Sequence, residues 1–73
     1  MWTKLMWQPG KTTWVNLNML QRIDYRPNKY VRVRFNDGNS MTLTNQDTQP
    51  QKVNTEYDCL VRIINHPVPI EHL

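Results

Sequence analysis

Residues 30–43, YVRVRFNDGNSMTL, decide the fold. Strict alternation sets Val31, Val33 and Phe35 on one face and Tyr30, Arg32 and Arg34 on the other, the pattern of a half-buried strand. Beyond the turn, Met41 and Leu43 alternate with Ser40, Thr42 and Thr44. A two-residue turn on Asp37-Gly38 would set Val33 against Thr42 and Met41 against Arg34. A three-residue loop, Asn36-Asp37-Gly38 with Gly38 left-handed, pairs Val33 with Met41 and Val31 with Leu43, and so gathers the apolar side chains. The spacing therefore predicts an antiparallel hairpin with the longer loop.

Upstream, TKLMW and TTWV flank QPGK, whose Pro-Gly pair signals a second hairpin. Alternation does not choose its register. If Leu5 and Trp7 share a face with Val15, then Met6 and Trp14 take the other, and a different loop reverses some of these. Either way both faces carry large apolar groups and both need cover, one from the core and one from another element or another chain. Between the hairpins, Leu17, Leu20 and Ile23 are spaced as in a helical turn, with a strand beginning over Arg22 to Tyr25 and a bend or bulge at Arg26-Pro27-Asn28. Residues 44–51 are polar and contain Pro50, which predicts a loop.

Farther on, Val53, Tyr57, Leu60, Val61 and Ile64 form the stripe of an amphipathic helix. Thr55 with Asp58 suggests a capping box, and Pro67 ends the helix by about Asn65. A strand through CLVRII is the competing reading, since it is rich in β-branched residues. The tail HPVPIEHL, with two prolines, is expected to be an extended arm. The predicted class is α+β, mostly β: two antiparallel hairpins forming a small twisted sheet, with a short C-terminal helix packing on Val31, Val33, Met41 and Leu43. Residues 1–65 make one domain and residues 66–73 a proline-rich extended tail.

At 73 residues the chain has room for one core of marginal stability. Its single cysteine, Cys59, excludes an internal disulfide and fits a reducing cytoplasm. The N-terminal stretch lacks the apolar run of a signal peptide or a membrane span, so no membrane association is expected. Nine Lys and Arg against six Asp and Glu give a net charge of +3, compatible with an anionic partner but short of a polybasic tail.

The order KL…W…G…WVNL…I, then VRVRF.DG…TL, then a C-terminal apolar stripe resembles the small FlbD-type flagellar proteins over roughly residues 4 to 64. The run VN…I…DG…L, about residues 15 to 43, is similar to part of LytTR-type DNA-binding domains. The first resemblance implies the same succession of strands and terminal helix, and the second implies β-rich elements that contact DNA. Trp2, Trp7, Trp14 and the tail match neither pattern, so neither resemblance transfers a functional residue.

Catalytic chemistry finds little footing. Cys59 and His66 could share a helix face, but a structural zinc site needs four ligands and His72 lies in the tail. Cys59 on an apolar stripe reads as core, the carboxylates are scattered, and Gly10 and Gly38 are too few for a phosphate-cradling loop. No enzyme activity, metal, cofactor or small-molecule substrate is expected. Three tryptophans within 14 residues, with Met6 beside them, exceed what one hairpin needs to cover its own core. Trp2, Trp7, Trp14 and Met6 are therefore the expected protein-binding residues, for self-association into a homo-oligomer or for docking on a larger protein as a regulatory accessory. The alternative is nucleic-acid binding by a basic sheet face comprising Arg26, Lys29, Tyr30, Arg32 and Arg34.

Overall fold

In the computed structural model, which describes residues 1–73, the central hairpin consists of β4 (Tyr30–Phe35) and β5 (Ser40–Thr44). β1 (Trp2–Gln8), β2 (Lys11–Asn16) and β3 (Leu20–Arg26) precede it in the chain, and α1 (Pro50–Ile63) and β6 (Ile70–His72) follow. Val31 pairs with Leu43 and Val33 with Met41, the register that the apolar alternation demands. The loop is Asn36-Asp37-Gly38, and Gly38 takes φ +89°, a left-handed conformation that glycine adopts without a Cβ clash.

β1 and β2 form the N-terminal hairpin, closed by Pro9-Gly10 with Gly10 at φ +69°. Their register explains a bulge. Thr3 opposite Val15 and Leu5 opposite Thr13, continued without a shift, would set Gln8 against Gly10 and leave Pro9 alone to turn the chain. An extra residue between Leu5 and Gln8 brings Gln8 opposite Lys11, so Pro-Gly can occupy the two central positions of a tight turn.

A three-residue 3-10 turn, Leu17–Met19, leads into β3. Asn16 starts the turn by accepting a hydrogen bond from the Asn18 amide on its side-chain oxygen at 3.1 Å. The helical spacing of Leu17, Leu20 and Ile23 covers only this turn. Leu20 and Ile23 both reach the core because the β3–β4 ladder slips between Leu20 and Arg22, a bulge that gives a strand a three-residue repeat. Pro27-Asn28 reverses the chain into β4, with Asn28 at φ +66° and the Lys29 amide donating to the Arg26 carbonyl at 2.9 Å.

The two hairpins lie in separate sheets. β1 and β2 stand alone as a two-stranded sheet, and the larger sheet has the order β5-β4-β3-β6. β6, within the segment read as an extended tail, runs parallel to β3 with Ile70 beside Ile23 and Glu71 beside Asp24. Proline lacks the amide for a ladder but keeps its carbonyl, and Pro69 uses it to accept from the Ile23 amide at 3.0 Å.

The helix begins earlier than Thr55. Gln49 precedes it and Pro50 occupies its first turn, where a missing amide costs nothing. Thr55 is not a cap: its hydroxyl donates to the Gln51 carbonyl, one turn back, at 2.9 Å. α1 buries Val53 and Leu60 against the inner face of the larger sheet, with Tyr57 and Ile64 at the margin. Val61 does not join them and is 38% exposed, because it stands about 100° around the helix from Leu60. Cys59, expected in the core, is exposed for the same reason on the other side. Leu5, Trp7, Val15, Leu17 and Leu20 from the N-terminal half close the core over Val31, Val33, Phe35 and Leu43. No helix is long and apolar enough to cross a membrane.

Candidate functional site

The three tryptophans separate. Trp7 is 3% exposed, and its indole Nε1–H donates to Glu56 Oε1 on α1 at 2.8 Å, so the ring spans the core from hairpin to helix. Trp7 therefore drops out of the expected binding face: a ring filling the core has no surface to offer. Trp2 and Trp14 are 65% and 63% exposed, and Met6 is 57% exposed. Lys4 faces Trp14 across the ladder and Trp2 faces Asn16, so period-2 alternation sets Trp2, Lys4, Met6 and Trp14 on the outward side of the β1–β2 sheet.

Beside this face runs a groove of about 380 Å³ between the N-terminal hairpin and the β4–β5 loop. Trp2 and Trp14 form one wall, Phe35 and Met41 line the other with Asp37, and exposed Met19 lies at its margin. Rigid aromatic rings beside a partly apolar groove, rimmed by Asn16, Asn39 and Ser40, make a surface suited to protein contacts.

The outer face of the larger sheet carries the charge. Cross-strand pairing sets Arg22 against Arg34, Asp24 against Arg32, and Arg26 against Tyr30. Asp24, 4% exposed, is the one buried charged residue. It accepts from Arg22 Nε at 3.0 Å and Nη2 at 2.5 Å, and lies 3.7 Å from Arg34 Nε. Arg22 also pairs with Glu71 on β6. Hydrogen bonds to Asp24 first, then to Glu71, raise the Arg22 pKa above its ordinary value. Arg32 donates to Thr42 Oγ1 at 3.2 Å and holds its guanidinium 5.7 Å from the centre of the Tyr30 ring. Of the residues expected to contact nucleic acid, Arg26, Tyr30, Arg32 and Arg34 share this face, and Lys29 stands exposed in the adjoining turn. Sequence reading missed Arg22 and Asp24, although Arg22, Asp24 and Arg26 alternate at the period of a strand.

A third cluster joins helix, sheet and C-terminus. The rings of Tyr25 and Tyr57 stack with centroids 3.7 Å apart and planes 2° from parallel, and His72 packs edge-on against both. The Tyr25 hydroxyl donates to Asn54 Oδ1 at 2.8 Å, and that oxygen also accepts from the Asn28 amide. Asn54 returns a bond from Nδ2 to Asn28 Oδ1 at 2.7 Å, so helix and turn are doubly latched. Burial, reinforced by the negative charge of Asp58, pushes the pKa of both tyrosines above 10.0. The cluster reads as a structural clasp, since its polar atoms satisfy one another.

Nowhere do three or more His, Cys, Asp or Glu side chains gather in a way that could hold a metal ion. In comparisons with known proteins, no family model, no curated protein and no solved structure matches this chain.

Proposed function

We propose that this chain is a small, non-enzymatic protein-interaction module that self-associates through the outer face of β1 and β2. The observation that carries the proposal is the joint exposure of Trp2, Met6 and Trp14 on one side of a two-stranded sheet whose other side is core. An isolated two-stranded sheet is weak by itself, and covering its outer face would complete a layered arrangement. Lys4 beside Trp14, and Asp37 on the far wall of the groove, give a two-fold contact one charge of each sign. As a regulatory accessory, the module would present the same face to a larger protein. The lone free thiol fits a reducing cytoplasm.

Magnitudes limit the strength of the contact. The exposed parts of the two indoles amount to roughly 300 Å² per protomer, so a two-fold dimer gains at most about 15 kcal/mol of gross apolar burial. Association costs on the order of 4–15 kcal/mol in lost freedom, so the four tryptophans offset that cost with little to spare at its upper end. Met1, Met6 and the groove then decide affinity, and the expected dimer is reversible. The test is sedimentation velocity over a range of concentrations. Wild type should shift to a larger species as concentration rises, Trp2→Ala/Trp14→Ala should remain monomeric with the same circular dichroism spectrum, and identical behaviour of the two would refute the proposal.

A further inference from the structure

The arginine face of the larger sheet is a second site, separate from the tryptophans. Four arginines, Arg22, Arg26, Arg32 and Arg34, share it with only two carboxylates, Asp24 and Glu71. Their arrangement matters more than their number. Asp24 lies beneath the guanidinium groups of Arg22 and Arg34, so the face turns positive charge outward and keeps its central negative charge inside. Arg22 is tied to Asp24 through Nε and Nη2 and to Glu71 through Nη2, and serves as a positioning residue. Arg34 meets Asp24 at 3.7 Å, beyond good hydrogen-bond distance, and Arg32 has one bond from Nε, so each retains free donors.

Arg32 and Arg34 line a polar groove of about 260 Å³ with Gln21, Asn39 and Ser40, all able to donate to an oxyanion. Alternate residues on one side of a strand repeat about every 6.6 Å, close to the spacing of successive phosphates along a nucleic-acid strand. Continuing the same row, Tyr30 follows Arg32, and Arg26 is its cross-strand neighbour, with Lys29 in the turn beyond. An aromatic ring in a cationic row offers a stacking surface to an unpaired base, which a base inside a duplex could not use. We propose that this sheet face binds single-stranded nucleic acid, with Arg32, Arg34, Arg26 and Lys29 on phosphates and Tyr30 stacking on a base.

The test is fluorescence anisotropy of labelled oligo(dT) and oligo(U), and of a duplex of equal length, titrated with the protein over a series of salt concentrations. Four phosphate contacts to a single strand predict a slope of log K against log salt of about −3, and Arg32→Ser/Arg34→Ser should reduce its magnitude by about 1.4. Asp24 keeps Arg22 in that variant, so the domain should stay folded, with only a small drop in melting temperature from loss of the Arg34–Asp24 ion pair. Arg26→Ser/Lys29→Ser, outside the Asp24 cluster, should also weaken binding, and Trp2→Ala/Trp14→Ala should bind as wild type does. Absence of binding at low salt, or binding unchanged in both basic-residue variants, would overturn the proposal. Tighter binding of the duplex would overturn the single-strand assignment, and displacement by polyglutamate as readily as by unlabelled oligonucleotide would reassign the face to an acidic protein.

Discussion

Replacing Trp7 and Trp14 separately by alanine should give opposite phenotypes, although the two side chains are chemically identical and lie in neighbouring strands. Trp7 is 3% exposed and bonded to Glu56, so Trp7→Ala removes nearly a whole indole from the core and opens a cavity; truncations of this kind cost about 3–5 kcal/mol. A 73-residue domain has roughly 4–11 kcal/mol in total. The variant should melt about 12 °C or more below wild type, or not fold at all. Trp14 buries only about a third of its surface, which bounds the cost of Trp14→Ala at about 1–2 kcal/mol. Urea denaturation followed by far-ultraviolet circular dichroism is the suitable assay, because each substitution removes a fluorophore. If Trp14→Ala proved as costly as Trp7→Ala, the division of the hairpin into a core face and an outward face would be wrong.

Other outcomes follow from the clasp on the C-terminal side. Tyr25 and Tyr57 hold their protons more tightly in the fold than in the unfolded chain, so above pH 10.0 the unfolded state ionises first and stability should fall as pH rises through the folded values. Alkaline absorbance titration should show two tyrosines ionising above the ordinary value, whereas completion at that value with no loss of stability would contradict the packing. Asn54→Ala removes the acceptor of the Tyr25 hydroxyl and of the Asn28 amide and should cost about 1–3 kcal/mol by chemical denaturation. A neutral result would mean that the turn is held by its own geometry.

Local periodicity made part of this structure legible. One apolar face on β4 and β5 fixed both register and loop length, and the apolar stripe located the helix. Where both faces of a strand are apolar, alternation carries no sign, so nothing local distinguished Trp7 from Trp14. The choice between them came from the bulge before Pro9 and from a bond to Glu56, 49 residues away. The bulge after Leu20 similarly gave a strand the spacing of a helical turn. Val61 was misassigned because a stripe of i, i+4, i+7 and i+8 residues is wider than the strip of sheet that α1 covers, and Cys59, at i+6, falls outside that stripe. Pro50 reads as a loop residue by composition and as a helix start by position. Least legible was β6, whose place depends on pairing with β3 and on the Arg22–Glu71 ion pair, both long-range in sequence. The basic face was legible as alternation, but the buried carboxylate organising it was not.

The most direct test of the docking face is a concentration series of proton–nitrogen correlation spectra that follows the three indole N–H signals separately. Self-association through β1 and β2 predicts that the Trp2 and Trp14 signals shift and broaden together as concentration rises, while that of Trp7, bonded to Glu56 inside the core, stays in place. Three signals unmoved up to the solubility limit, or movement of Trp7 alone, would contradict the account.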